Sequence, residues 1–176
     1  MRCLREHGYR LLTRALALLL LPFACLAAPG AARLAACRWA LAVRFPRENL
    51  AGLTPGALAA FEAARARALW RDGVVIGLTS GHRSAAEQAR LFAAEAGRGG
   101  QPRTLPPAES RHVTGTAMDV RPTEGARWLE LHGSSYGLYR RYDNEWWHFE
   151  YCPMGPPERL PHPGARLSTV VTAAPG

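Results

Sequence analysis

Apolar positions along this chain change spacing several times, and each change marks a different element. Residues 15–28, ALALLLLPFACLAA, are an apolar run inside an uncharged stretch from Ala15 to Ala32. Cys37–Phe45 (CRWALAVRF) alternates loosely and predicts a first strand. Thr54-Pro55 then opens a helix, with Thr as N-cap and Pro at the first helical position. Leu58, Phe61 and Leu69 carry it to Trp70, and Gly73 stops it. Val74–Leu78 (VVIGL) reads as a short buried strand. Ser84 and Glu87 form a capping box for a second helix, with Leu91 and Phe92 on its apolar face and Gly97 at its end.

Residues 98–109 are rich in Gly and Pro and predict a loop. Thr116–Val120 predicts a strand with Met118 and Val120 on one side and Ala117 and Asp119 on the other. A short helix around Glu124–Leu131 and two strands, Gly137–Tyr142 and Trp146–Tyr151, complete the pattern. From Pro153 onward core residues are scarce, which predicts a loose tail over 153–176. Helices interspersed with short, closely linked strands imply an α+β fold: one small domain, a mainly antiparallel central sheet and flanking helices.

The N-terminus has the three parts of a secretory signal peptide. Arg2, Arg5, Arg10 and Arg14 precede the apolar run, and small residues follow it. The strongly apolar part has 14 residues, about 21 Å as helix against a ~30 Å hydrocarbon core. We read residues 1–28 as a signal with cleavage near Ala27 or Ala28. The alternatives are an uncleaved anchor and, less favoured after Pro22-Phe23-Ala24, a lipoprotein acylated at Cys25.

This reading reshapes the charge. The 176 residues carry 22 Arg, no Lys and 14 acids, a net +8. Without residues 1–28 there remain 18 Arg and 13 acids, a net +5. That excess suits an acidic cell envelope. No element clusters Arg with aromatics, so a nucleic-acid partner is not expected. Cys37 and Cys152 are the cysteines left beyond the leader and are disulfide candidates in an oxidising compartment.

Two segments hold chemistry. Ser110-Arg111-His112-Val113-Thr114-Gly115-Thr116-Ala117-Met118-Asp119 and Glu145-Trp146-Trp147-His148-Phe149 together offer two imidazoles and two carboxylates. A catalytic zinc site needs three protein ligands and an open position for water, whose proton a nearby carboxylate takes. His112 and Asp119 lie seven apart, so one continuous strand would put them on opposite faces. Gly115 can supply the turn that reconciles them, and Glu145 is placed in the turn before the strand bearing His148. Taken alone, the same residues are also compatible with a surface Asp, a turn Glu and two structural histidines.

Three ordered motifs, Ser80-Gly81-His82-Arg83-Ser84, Ser110-x-His112-x-x-Gly115-x-x-x-Asp119 and Glu145-Trp146-Trp147-His148-Phe149, resemble the VanX/VanY family of zinc D-Ala-D-Ala peptidases. That family shares its fold with lysostaphin-type peptidases and the Hedgehog signalling domain. The resemblance spans about residues 37–152 and implies a peptidase domain over 29–152. It implies one zinc ion bound by His112, Asp119 and His148, with Glu145 as general base. Arg83 would hold substrate and stabilise the oxyanion, Ser110 would orient substrate and Gln88 would line the pocket. From its own chemistry, Trp147 is a candidate substrate-binding wall of that pocket, with a place in the core as the alternative. His82 departs from the aromatic residue common in the family at that position.

The 26-position interval from Asp119 to Glu145 is short. The resemblance ties longer insertions there to dipeptidases, so a D,D-carboxypeptidase acting on peptidoglycan stem peptides is expected. An endopeptidase, a D-Ala-D-Ala dipeptidase and a non-catalytic zinc or cell-wall-binding module are the alternatives. The expected protein is a monomer in the periplasm or secreted, touching the membrane only through a retained leader.

Overall fold

The computed structural model describes residues 2–96 and 104–165. Five helices and a four-stranded antiparallel sheet make up the α+β fold expected from the pattern. The helices are α1 (Arg2–Ala27), α2 (Ala32–Arg44), α3 (Pro55–Arg67), α4 (Ala85–Ala96) and α5 (Thr123–His132). The strands β1 (Gly77–Ser80), β2 (Ala117–Arg121), β3 (Leu138–Arg140) and β4 (His148–Tyr151) lie in the order β1-β2-β4-β3.

The capping signals act as expected. Thr54 Oγ1 accepts from the Ala57 amide at 3.3 Å, and Pro55 follows it. After α3 the backbone widens into a π turn over Ala68–Asp72, ending at Gly73 with φ +63°. Ser84 Oγ accepts from the Glu87 amide at 3.1 Å and starts α4. Gly97 and residues 98–103 of the expected loop lie outside the described residues.

The main core lies between the sheet and helices α3 and α5, where Phe61, Ile76, Met118, Leu129, Leu138 and Phe149 are fully buried. Met118 and Val120 enter this core from β2, as the alternation predicted. Val74 and Val75 are buried but unpaired in the sheet, because the β1–β2 ladder begins only at Gly77 opposite Arg121.

Three expectations need correction. Cys37–Phe45 is helical, part of α2. Its buried positions Ala36, Cys37, Ala40 and Leu41 recur with helical spacing, and the loose alternation was the weaker signal. The proposed Cys37–Cys152 disulfide is not formed, and both thiols are free. Cys37 packs from α2 into a second cluster with Phe45, Leu69 and Val75, whereas Cys152 follows β4 beside Gly137. Burial also raises the Cys37 thiol to about 11, which disfavours the thiolate needed for exchange.

The tail over 153–165 is the third correction, because it folds back on the domain. Leu160 pairs in parallel with Tyr142, donating to Arg141 O and accepting from the Asp143 amide, both at 2.9 Å. Arg159 reaches Glu130 and Asp143 at 2.5 Å each. Backbone pairing, two ion pairs and the burial of Leu160 and Pro163 thus hold this segment on the domain. Residues 166–176 of the tail lie outside the described residues.

The expected leader region forms most of the hairpin α1–α2. Glu6–Ala27 is 22 residues of helix, long and apolar enough to cross a membrane, because the helix continues beyond the strictly apolar run. Ala17 joins the second cluster, and Arg10 and Arg14 donate to Gly73 O and Trp70 O at 2.9 and 3.2 Å. Leu11, Leu12, Leu18, Leu19, Phe23 and Leu26 stay exposed.

Candidate metal centre and active-site cavity

The sheet register builds the site. Ser80, Asp119 and His148 are consecutive partners across β1, β2 and β4, so they form a row over one end of the sheet. Met118 and Val120 beside Asp119, and Phe149 beside His148, enter the core, so the row faces away from it. His112 arrives from the loop before β2. There Gly115 has φ +70°, and a Cβ on it would lie 2.2 Å from Gly52 O. Only glycine allows this close crossing, which is sealed by the Thr54 amide donating to Gly115 O at 2.9 Å. The turn anticipated at Gly115 therefore does bring the loop histidine beside the strand aspartate.

One ligand atom from each of His112, Asp119 and His148 lies within 4.8 Å of the other two. Asp119 Oδ1 is 3.4 Å from His112 Nε2 and 3.0 Å from His148 Nδ1. Tetrahedral zinc with bonds of about 2.0–2.1 Å would space its ligands by roughly 3.4 Å, close to both separations from Asp119 Oδ1.

The outer nitrogens fit as well. His112 Nδ1 donates to Gly81 O at 2.6 Å, and His148 Nε2 points at Glu150 Oε1 at 3.4 Å. Each contact fixes the ring with its other nitrogen toward the centre, the usual support of a metal-ligating histidine. Glu150 was not singled out in the sequence, although its spacing of two from His148 on a strand was a usable signal.

Charge is dense here. Burial would raise the Asp119 carboxyl, but hydrogen bonds and charge from His112 and His148 outweigh it and hold it well below the usual carboxylate range. Burial would lower His148, yet Asp119 and Glu150 raise it to about 9. Beside it, burial and the Glu150 charge push the Tyr142 hydroxyl up to about 12. The apposed charges therefore stabilise one another.

Arg83 follows β1 and is held on three sides. Its Nη2 donates to Asp119 Oδ2 at 2.5 Å, its Nε to Ser80 Oγ at 2.8 Å and its Nη1 to Gln88 Oε1 at 3.4 Å. Gln88, fully buried on α4, is braced in turn by donating to Leu105 O at 2.8 Å. Glu145 is buried in the turn between β3 and β4, where its carbonyl accepts from Arg140 Nε at 3.2 Å.

All eight residues singled out from the sequence, Arg83, Gln88, Ser110, His112, Asp119, Glu145, Trp147 and His148, line one cavity of about 240 Å³. Leu105, Arg111, Tyr142, Glu150 and Pro163 line it too and were not anticipated. His82 does not: it is exposed and packs over Gly52. Trp146 stacks edge-on against Trp147, with ring centroids 5.5 Å apart.

This arrangement coincides with a sequence match: residues 51–154 fit the family model VanY, D-alanyl-D-alanine carboxypeptidase. The chain belongs to the VanY family. None of the curated proteins matches it. Among solved structures, the D,D-dipeptidase VanXYg in complex with a D-Ala-D-Ala phosphinate analogue is 21% identical. The TM-score is 0.50, with 65% of this chain and 54% of that one covered. The D,D-pentapeptidase VanY of a VanB-type resistance cassette, complexed with Zn(II), is 22% identical. Its TM-score is 0.49, with 56% and 72% covered. The L,D-carboxypeptidase DacB from Streptococcus pneumoniae is 27% identical, with a TM-score of 0.46 and 57% and 67% covered. Membership of the VanY family accounts for the order of the three motifs and for the fold that joins them.

Proposed function

We propose that this protein is a zinc-dependent D,D-carboxypeptidase that removes the terminal D-Ala of peptidoglycan stem peptides. One observation carries the reading. In a VanY-family chain, three metal donors, a buried carboxylate and a fixed guanidinium share a single cavity. His112 Nε2, His148 Nδ1 and Asp119 Oδ1 would hold one zinc ion. When bound, zinc lowers the pKa of its water toward ~7 and polarises a carbonyl.

The chain's own residues supply the remaining steps. Glu145 takes the proton of the attacking water and returns it to the leaving amine of D-Ala. Arg83 places positive charge where the scissile carbonyl oxygen becomes an oxyanion, and its three bonds remove the reorganisation that a free side chain would need. Ser110, Gln88 and Trp147 orient the peptide. We further propose that residues 1–28 direct export as a secretory signal and that the protein works as a monomer outside the inner membrane. No nucleic acid takes part.

Release of D-Ala from a pentapeptide stem tests this. The zinc-loaded protein is expected to release it, and chelation to abolish the release until zinc is restored. Glu145→Gln is expected to lower kcat at least ~10²-fold with zinc still bound. Activity that survives either treatment would refute the mechanism.

A further inference from the structure

Beside the active-site cavity lies a second one of about 760 Å³, and the two share Leu105, Ser110, Arg111, Tyr142 and Glu150 as walls. The smaller is below the ~300–1,000 Å³ usual for ligand pockets and suits a short terminal group. The larger extends away under the folded-back tail, past Leu160. Together they form a groove with a small end at the metal donors and room for several residues beyond.

Three arginines line this groove, and the guanidiniums of two are committed. Arg83 is bound to Asp119, and Arg141 Nε lies 3.9 Å from Glu150 Oε2. Arg111 is different: it is exposed, it lines both cavities, and among the described residues it has no ion-pair partner. Its backbone is nevertheless pinned. Arg111 O accepts from the Thr116 and Ala117 amides at 3.0 and 3.2 Å and from Thr114 Oγ1 at 3.0 Å. A cation with a fixed root and a free head, between Ser110 and His112, is suited to bidentate capture of an anion.

Resting on the peptidase reading above, we infer that Arg111 is a specificity residue that binds a carboxylate of the substrate peptide. Two carboxylates can reach it: the C-terminal one, which would make the enzyme strictly an exopeptidase, and an acidic side chain upstream of the scissile bond, lying in the larger cavity.

The test uses the zinc-loaded full chain and three peptides. The parent ends in D-Ala-D-Ala and has an acidic residue before that pair. In one derivative the side-chain carboxylate is amidated, and in the other the C-terminal carboxylate is. Wild type should lose ~10- to 100-fold in kcat/KM, mainly through KM, on one derivative. Arg111→Gln should lose the same factor on the parent and no longer distinguish that derivative, while Arg111→Lys recovers part of it. The derivative affected identifies the carboxylate. Discrimination unchanged in Arg111→Gln overturns the inference.

Peptide binding to zinc-loaded Glu145→Gln, with and without Arg111→Gln, separates the two readings. Carboxylate-dependent binding that needs Arg111, without turnover by wild type, upholds the inference and rejects the peptidase reading. Binding indifferent to Arg111 rejects the inference even where turnover is present.

Discussion

The active-site cavity and the α1–α2 hairpin reverse the ordinary partition of side chains in opposite ways. In the cavity polar groups are buried: Gln88, Ser110, His112, Asp119, Glu145, His148 and Glu150 are each less than a tenth exposed. On α1 apolar groups are exposed, with Leu12, Leu19 and Phe23 at 67%, 71% and 65%. The first reversal is compensated inside the chain: Asp119, both histidines and Arg83 satisfy one another. The second has no compensation in the chain, because nothing described packs on that side of α1. A buried polar cluster with internal partners is built for what it binds. An exposed apolar face is built for where the protein is placed, and we propose export for this one.

Breaking the cavity should have the largest effect. Asp119→Ala removes a proposed metal donor and leaves Arg83 without its carboxylate, a loss on the order of 3 kcal/mol for a largely buried pair. Zinc content by metal analysis should fall to background, D-Ala release should vanish, and the metal-free variant should melt below the metal-free wild type. Retained stoichiometric zinc would show that the three donors are not the site.

Titrating the cavity has a smaller effect. His148 is raised to about 9, so in the metal-free protein its contribution to stability is complete below about 6.5 and is lost as pH rises through 9. Asp119, being depressed, contributes above its ordinary value near 3.9, and that part is lost in acid. Denaturant midpoints of the metal-free protein should therefore fall between pH 6.5 and 9. Zinc binding should tighten over the same interval with release of a proton. A midpoint that climbs with pH across this window contradicts the charge arrangement.

The hairpin should be least sensitive. Leu18→Ser with Leu19→Ser changes residues exposed by 54% and 71%, so stability should stay within about 0.5 kcal/mol per site. Fractionation of cells should nonetheless show poorer export or membrane retention. A large drop in melting temperature would mean that this face is covered after all.

The two regions also differed in how far the sequence disclosed them. Around the cavity, Thr54-Pro55, Ser84, Gly115 and the alternation of Met118 and Val120 each carry a local physical instruction, so α3, α4, β2 and the loop of His112 could be anticipated. Three motifs far apart in sequence then narrowed the candidate site to one constellation. Glu150 escaped because a glutamate in a strand has no motif of its own, although its spacing from His148 gave the shared face. In the hairpin, the helical spacing of Ala36, Cys37, Ala40 and Leu41 was masked by a loose alternation over Cys37–Phe45, and packing against Leu69 and Val75 fixes the helix. The tail escaped for a related reason. Its attachment is backbone pairing at Leu160, ion pairs of Arg159 and the two isolated buried residues Leu160 and Pro163, which together leave no apolar period.

Asp119 divides its two oxygens, Oδ1 toward both histidines and Oδ2 toward Arg83. One carboxylate therefore acts as a ruler between the two histidines and the guanidinium, with a length set by covalent geometry rather than by loop conformation. When the sheet flexes, β2 carries both ends of that ruler together, so their spacing survives motions that would shift either group separately.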